Sequence, residues 1–216
     1  MPWFNMPHAA TDAWVTDFAT AVRGRLPAGR PGYGEYSNEI WNNQFSQGNA
    51  IEQQGIAKFG NQAGSNFDRR LNQFGERSAQ ICQLWRAVFA PTPERVRCVM
   101  GGQAANTYIA ETALTCPMSS LKPCKSKGFH ALAIAPYVGD HVGLGQHEAA
   151  VQAWTTQADG GLAKLFNELN TGTELNSSES GALPTVRSRI SNPATLAQQE
   201  GVQLVAYEGG QHLVGV

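Results

Sequence analysis

Two glutamates stand where the chain has the means to do chemistry. The first lies in GYGEYSNEIWN, residues 32–42, in which a strand-like run ends on Asn38-Glu39. The second lies in VAYEGGQH, residues 205–212, in which Glu208 follows an apolar run and precedes two glycines that would let a bulky ligand approach the backbone closely. Two carboxyl groups across a cleft can divide the work of cleaving a glycosidic bond: one protonates the leaving oxygen and the other attacks the anomeric carbon. A separation of about 5–5.5 Å permits the retaining, double-displacement route, and roughly 6.5–9.5 Å leaves room for water and inversion. Strand alternation directs Glu35, Ser37 and Glu39 to one side, with Glu39 nearest the strand end. Glu35 reads as a buried, paired structural carboxylate, because burial without a partner is costly.

The elements that must position these groups alternate along the chain. Pro2 to His8 reads as a strand running out at Pro7, and Ala9 to Leu26 as an amphipathic helix ended by Pro27 and Gly29. Gly32 to Trp41 reads as a second strand. Residues 67–89 carry Phe67, Leu71, Phe74, Ile81, Leu84, Trp85 and Val88 on one helical stripe, closed by Pro91 and Pro93. Arg95 to Met100 is a short strand entering Gly101-Gly102-Gln103, followed by a helix from Ala104 to Leu114. Phe129 to Tyr137 and Val202 to Tyr207 are near-continuous apolar runs of the kind buried on both faces of a parallel sheet. Between them lie a helix-compatible stretch from about His147 to Leu169, a polar loop near Asn170 to Gly181, and a helix around Ala194 to Glu200. This alternation predicts an α/β fold with a parallel sheet covered by helices, as an open doubly wound sheet or a closed barrel. Helical spacing assigns Trp14 and Trp85 to the core, and Trp154 joins them; His130 and His141 carry no functional argument.

Composition narrows the partners. Of 216 residues 42% are hydrophobic, enough for a sizeable core. Only 15% are charged, against roughly 25% in an average domain, so Gln, Asn, Ser, Thr and Gly must supply the polar surface, and such a surface suits neutral ligands. A net charge of -1 builds no field for a phosphate backbone, which argues against nucleic acid. No apolar run approaches the roughly 20 residues of a membrane span, and Met1-Pro2-Trp3-Phe4-Asn5 lacks the regions of a signal peptide. Four cysteines permit three full pairings, among which spacing does not choose, and they form no metal pattern. A bridge between Cys116 and Cys124 would staple a surface loop, whereas Cys82 and Cys98 read as small buried hydrophobes.

YGEYSNEIWN followed, after three intervening βα units, by VAYEGGQH resembles the paired signature of the clan A glycoside hydrolases. The resemblance implies a (β/α)8 TIM-barrel type fold in a single domain over residues 1–216, incomplete at about five of the eight βα units, barrel strands three to seven. The Arg that the clan places on strand two and the aromatic platform of strand eight find no counterpart. It further implies a retaining mechanism with Glu39 as acid/base and Glu208 as nucleophile. Asn38 would hydrogen-bond the 2-hydroxyl of the reacting sugar. His8 and Tyr137 would border that sugar, Tyr137 hydrogen-bonding the nucleophile. Gln103 and His212 would contact sugar hydroxyls, and Trp3 and Trp41 would offer flat faces to pyranose rings.

No cofactor and no metal are implied. The substrate would be a β-linked oligo- or polysaccharide such as cellulose or β-glucan, and the full-length relative would be secreted. Exposed edges of an incomplete barrel would invite association with a second copy. Two rival readings remain: a barrel remnant that binds glycans without cutting them, and an open doubly wound fold with other chemistry, against which stands the want of a G-x-G-x-x-G fingerprint or a P-loop.

Overall fold

The computed structural model describes residues 1–175 and 181–214. Along the chain run β1 (Trp3–Met6), α1 (Asp12–Arg25), β2 (Gly32–Tyr36), α2 (Ser46–Phe59), α3 (Asn66–Val88), β3 (Val96–Gly101), α4 (Thr107–Thr115), β4 (Phe129–Ile134), β5 (Tyr137–Val138), α5 (Glu148–Trp154), α6 (Leu162–Thr171), α7 (Ala182–Glu200), β6 (Gln203–Ala206) and β7 (Gly210–Gln211). The fold is mixed α/β, with a five-stranded parallel sheet in the order β1-β2-β3-β4-β6. In its register Asn5 lies beside Glu35, and Glu35 beside Val99. The sequence reading treats residues 1–216 as one domain; the contacts group them into two units, Met1–Ile134 with Ala194–Val205, and Ala135–Pro193 with Ala206–Val216.

In the first unit α3 is the central helix. Ser65 and Asp68 form a capping box at its start, each side chain accepting from the other's backbone N–H, at 3.1 and 2.7 Å. Two amides that a helix start leaves open are thereby satisfied. Its buried face, Leu71, Phe74, Ile81 and Trp85, packs toward β2 and β3, each fully buried side chain contributing about 1.5–3 kcal/mol. Around it pack α1, α2 and α4. A disulfide joins Cys82 of α3 to Cys98 of β3, which corrects the reading of these two as isolated hydrophobes: the stripe that buries Cys82 brings it onto the strand carrying Cys98. The expected bridge between Cys116 and Cys124 is present.

Several boundaries differ from expectation for identifiable reasons. The second strand stops at Tyr36 rather than Trp41, because Ser37 and Glu39 adopt left-handed backbone at φ 57° and 43°. Alternation therefore does not carry through to Glu39. The run Phe129 to Tyr137 divides at Ala135-Pro136, since proline has no N–H to continue a ladder, and Tyr137–Val138 pairs with β7 instead. The strand within Val202 to Tyr207 is not buried on both faces: β6 is last in the order, with Gln203 and Ala206 exposed and only Leu204 and Val202 packed on Ala110, Leu132, Leu196 and Ala197. Trp14 is 44% exposed and stacks on Phe18 at the surface, not in the core, whereas Trp85 and Trp154 are buried as expected. Helix α2 has no counterpart in the sequence reading, because two of its four buried positions are glycines, Gly48 and Gly55, which leave no apolar stripe to read.

In the second unit the stretch from His147 to Leu169 forms two helices, α5 and α6; the helix expected around Ala194 begins at Ala182, in this unit, and its residues from Ala194 onward belong to the first. Its small core joins Val142, Trp154 and Leu175. Glu168, fully buried, receives the backbone N–H groups of Glu174 and Leu175 at 2.8 and 3.0 Å on one oxygen and lies 2.9 Å from His141 Nε2 on the other. His141, which the sequence left without a role, is thus a structural partner.

Candidate functional site

Immediately after β2 the backbone of the Asn38-Glu39 segment is bound from several directions. Ser37 N–H donates to the Met6 carbonyl at 2.8 Å, and Asn5 Nδ2 donates to the Ser37 carbonyl at 2.6 Å. Gln47 Nε2 donates to the Asn38 carbonyl at 3.0 Å. Arg70, buried on α3, donates from Nη1 to the Ile40 carbonyl at 3.3 Å and to Asn43 Oδ1 at 2.9 Å, while Nη2 pairs with Glu52 at 2.6 Å. Gly48 lets α2 approach this loop, since a Cβ there would lie 2.8 Å from the Ile40 carbonyl oxygen. Left-handed conformations at two non-glycine residues cost about 1–3 kcal/mol each, and they persist only where surrounding bonds over-determine them. Here those bonds are the ones named. Glu39 is half-buried, and Asn42 Nδ2 donates to its Oε2 at 3.1 Å.

Glu35, four residues earlier on β2, is 3% exposed. Its partner is not a cation but the indole of Trp3, whose Nε1–H donates to Oε2 at 2.8 Å. Burial raises its carboxyl from 4.5 to about 7, and the Trp3 hydrogen bond lowers it by less. Room for Oε1 comes from Gly101 on the neighbouring strand, where a Cβ would lie 2.8 Å from that oxygen and 3.7 Å from the Trp41 ring. The expected burial of Glu35 is thus observed, with a neutral donor as its companion.

Of the remaining first-unit candidates, His8, Trp41 and Gln103 follow the C-terminal ends of β1, β2 and β3, whereas Trp3 opens β1 at its other end. Trp3 stacks on Tyr33 with ring centroids 5.2 Å apart, so its indole N–H and one face are already engaged within the protein. His8 is half-buried just past β1, and its carbonyl accepts from the Tyr36 hydroxyl at 3.0 Å. Burial pushes that phenol up to about 12, leaving it a neutral donor. Trp41, buried, and Gln103, exposed, border one recess of about 460 Å³ together with Asn42, Asn43, Gln44 and Asn106.

In the second unit, β5 and β7 pair so that Tyr137 lies beside Gly210. His212 N–H donates to the Val138 carbonyl at 2.8 Å, and the Tyr137 and His212 rings stand 5.1 Å apart. Glu208 is exposed, two residues beyond the end of β6. A Cβ at Gly209 would come within 3.2 Å of the Pro136 carbonyl oxygen, so this glycine serves the protein's own packing.

Sequence reasoning missed Arg70, Asn42 and Asn43. The amide run Asn42-Asn43-Gln44 directly after Glu39-Ile40-Trp41 was a readable signal. Arg70 was not, since a charge within an amphipathic helix ordinarily marks the solvated face. Among the described residues no cluster of three or more His, Cys, Asp or Glu side chains is arranged to hold a metal ion, and no helix is long and apolar enough to cross a membrane. No protein-family model, no curated protein and no solved structure matches this chain.

Proposed function

We propose that the chain is a retaining glycoside hydrolase of the clan A kind acting on β-linked glycans, built on part of a (β/α)8 barrel. The observation that carries this reading is positional. Asn38-Glu39 follows the C-terminal end of β2, and Glu208 follows the C-terminal end of β6, in one parallel sheet. Parallel α/β folds gather catalytic groups at that edge. The strand order runs with the chain, as around a barrel, without the reversal that marks a doubly wound sheet. Strain held at Ser37 and Glu39 adds support, because such backbone clusters at functional sites.

In this mechanism Glu39 protonates the glycosidic oxygen while the Glu208 carboxylate attacks the anomeric carbon. The leaving glycan departs with the proton, and a glycosyl ester remains on Glu208. Glu39, now a carboxylate, takes a proton from water, whose oxygen attacks the same carbon and releases Glu208. By the resemblance Asn38 would hold the 2-hydroxyl and His8, Gln103, Trp41 and Trp3 of the first unit would contact the sugar, and the same resemblance assigns sugar contacts to Tyr137 and His212 of the second unit. Two buried disulfides support secretion, and strands at the ends of the sheet support pairing with a second copy.

The test is release of reducing ends from β-glucan, xylan, mannan and aryl β-glycosides. Turnover should be lost in Glu208→Ala and in Glu39→Ala, with azide on an activated aryl β-glycoside giving the β-glycosyl azide from Glu39→Ala, by two displacements, and the α-glycosyl azide from Glu208→Ala, by one. Full activity in both variants would sink the assignment. A second reading, glycan binding without cleavage, is favoured by the exposure of Glu208 and His212, because a nucleophile works best where water is excluded. Saturable binding with no product after long incubation would establish it.

A further inference from the structure

The recess beside Glu39 has a lining of unusual uniformity. Asn43, Gln44, Gln103 and Asn106 present carboxamides, Trp41 and Phe67 present aromatic carbon, and no lining side chain carries a charge. All of it belongs to the first unit. At about 460 Å³ the recess falls within the usual roughly 300–1,000 Å³ range of small-molecule sites.

The fold consumes only part of its hydrogen-bonding capacity. Asn106 spends its Oδ1 capping α4, on the Tyr108 N–H at 3.2 Å, and Asn43 spends its Oδ1 on Arg70. Each keeps its NH2 group. The exposed side-chain amides of Gln44 and Gln103 take no hydrogen-bond partner among the described residues. A carboxamide both donates and accepts, so a set of them matches vicinal hydroxyls, which also do both. No lining side chain offers a cation to an anion or a carboxylate to a cation; the Arg70 guanidinium behind Asn43 and Phe67 is buried and paired with Glu52.

We propose that this recess binds one uncharged, polyhydroxylated ring of a neutral glycan, its hydroxyls on the carboxamides and its apolar face toward Phe67 and the exposed part of Trp41. Asn42 both lines the recess and donates to Glu39 Oε2, so the bound ring adjoins the glycosidic bond that Glu39 would protonate. That last placement rests on the hydrolase reading; the binding itself does not. The substrate class follows: neutral hexose or pentose chains, with polyuronates and other anionic chains excluded.

The experiment is calorimetric titration of the Glu208→Gln protein, which holds turnover off, with cellohexaose, xylohexaose and tetragalacturonate. At least one neutral hexasaccharide should bind and tetragalacturonate should not. Adding Gln44→Ala and Gln103→Ala together should weaken the neutral ligand by about tenfold, the loss of one to two hydrogen bonds. Both side chains are exposed and unshared, so the fold should survive their removal. An unchanged Kd in that variant, equal binding of tetragalacturonate, or no binding of either neutral hexasaccharide would overturn the proposal. The two readings fail separately. Aryl glycoside turnover abolished in Glu208→Ala, with no binding of the hexasaccharides, would discard the recess and keep the hydrolase. Binding weakened by the two glutamine substitutions, with no turnover of any glycan, would discard the hydrolase and keep the recess.

Discussion

The two carboxylates to which the sequence points are supported very differently by the units that carry them. The loop bearing Glu39 is bound by Arg70, Gln47, Asn5 and the Met6 carbonyl, on a sheet covered by a disulfide-tied helix. Glu208 is exposed, follows a half-exposed strand and precedes a two-residue strand whose partner is equally short. Position on one loop is therefore maintained by buried polar bonds whose loss is felt throughout the fold, and on the other by local backbone pairing. Substitutions near Glu39 should act on stability and chemistry together, whereas substitution of Glu208 should separate them.

The largest stability effect is expected for Arg70→Met. Removing the guanidinium leaves the Ile40 carbonyl, Asn43 Oδ1 and part of Glu52 without their donor, and breaking a buried pair costs about 3–5 kcal/mol. Urea unfolding measures it; a loss below about 1 kcal/mol would break the comparison, because the Glu39 loop would then not depend on its anchor. Next, replacing both Cys82 and Cys98 by Ala, which opens a bridge spanning 16 positions, should cost about 3 kcal/mol. The same readout applies, and a midpoint equal to that of the parent would show that α3 needs no tie to the sheet.

A pH effect of similar size belongs to Glu35. Its folded pKa of about 7 lies above the unfolded 4.5, so between those values the native state binds more protons and stability falls as pH rises. The stabilisation is complete below about pH 4.5 and is lost through pH 7, a fall of about 3 kcal/mol. Glu35→Gln should flatten that part of the stability curve, and an unchanged slope would place the titration elsewhere. Smallest of all is Glu208→Gln: an exposed carboxylate should change unfolding free energy by less than about 0.5 kcal/mol while abolishing turnover under the proposed mechanism. A loss of several kcal/mol would overturn the contrast between the two loops.

Much of the scaffold was legible because periodicity reports burial directly. Helix α3 announced itself through Leu71, Phe74, Ile81 and Trp85, and the strands ending near Met6, Met100 and Ile134 through short apolar runs. Periodicity fell short where a buried face is made without apolar side chains. Gly48 and Gly55 give α2 its contact by being small, and Arg70 is buried by pairing. Trp14 misled in the opposite sense, since helical spacing tells which residues share a face and not whether another element covers the end of that face.

Sequence alone determined the α/β alternation, the amide-rich composition and two glutamates that each follow a strand, because these follow from residue type and local spacing. Tertiary structure alone decided that Cys82 meets Cys98, that Glu35 is buried on Trp3 over Gly101, and that an Arg from α3 and an Asn from α2's approach loop shape the surroundings of Glu39. Each of those contacts joins residues distant in the chain whose meeting depends on which strand lies beside which. Local pattern carries no record of neighbours in space; packing supplies it.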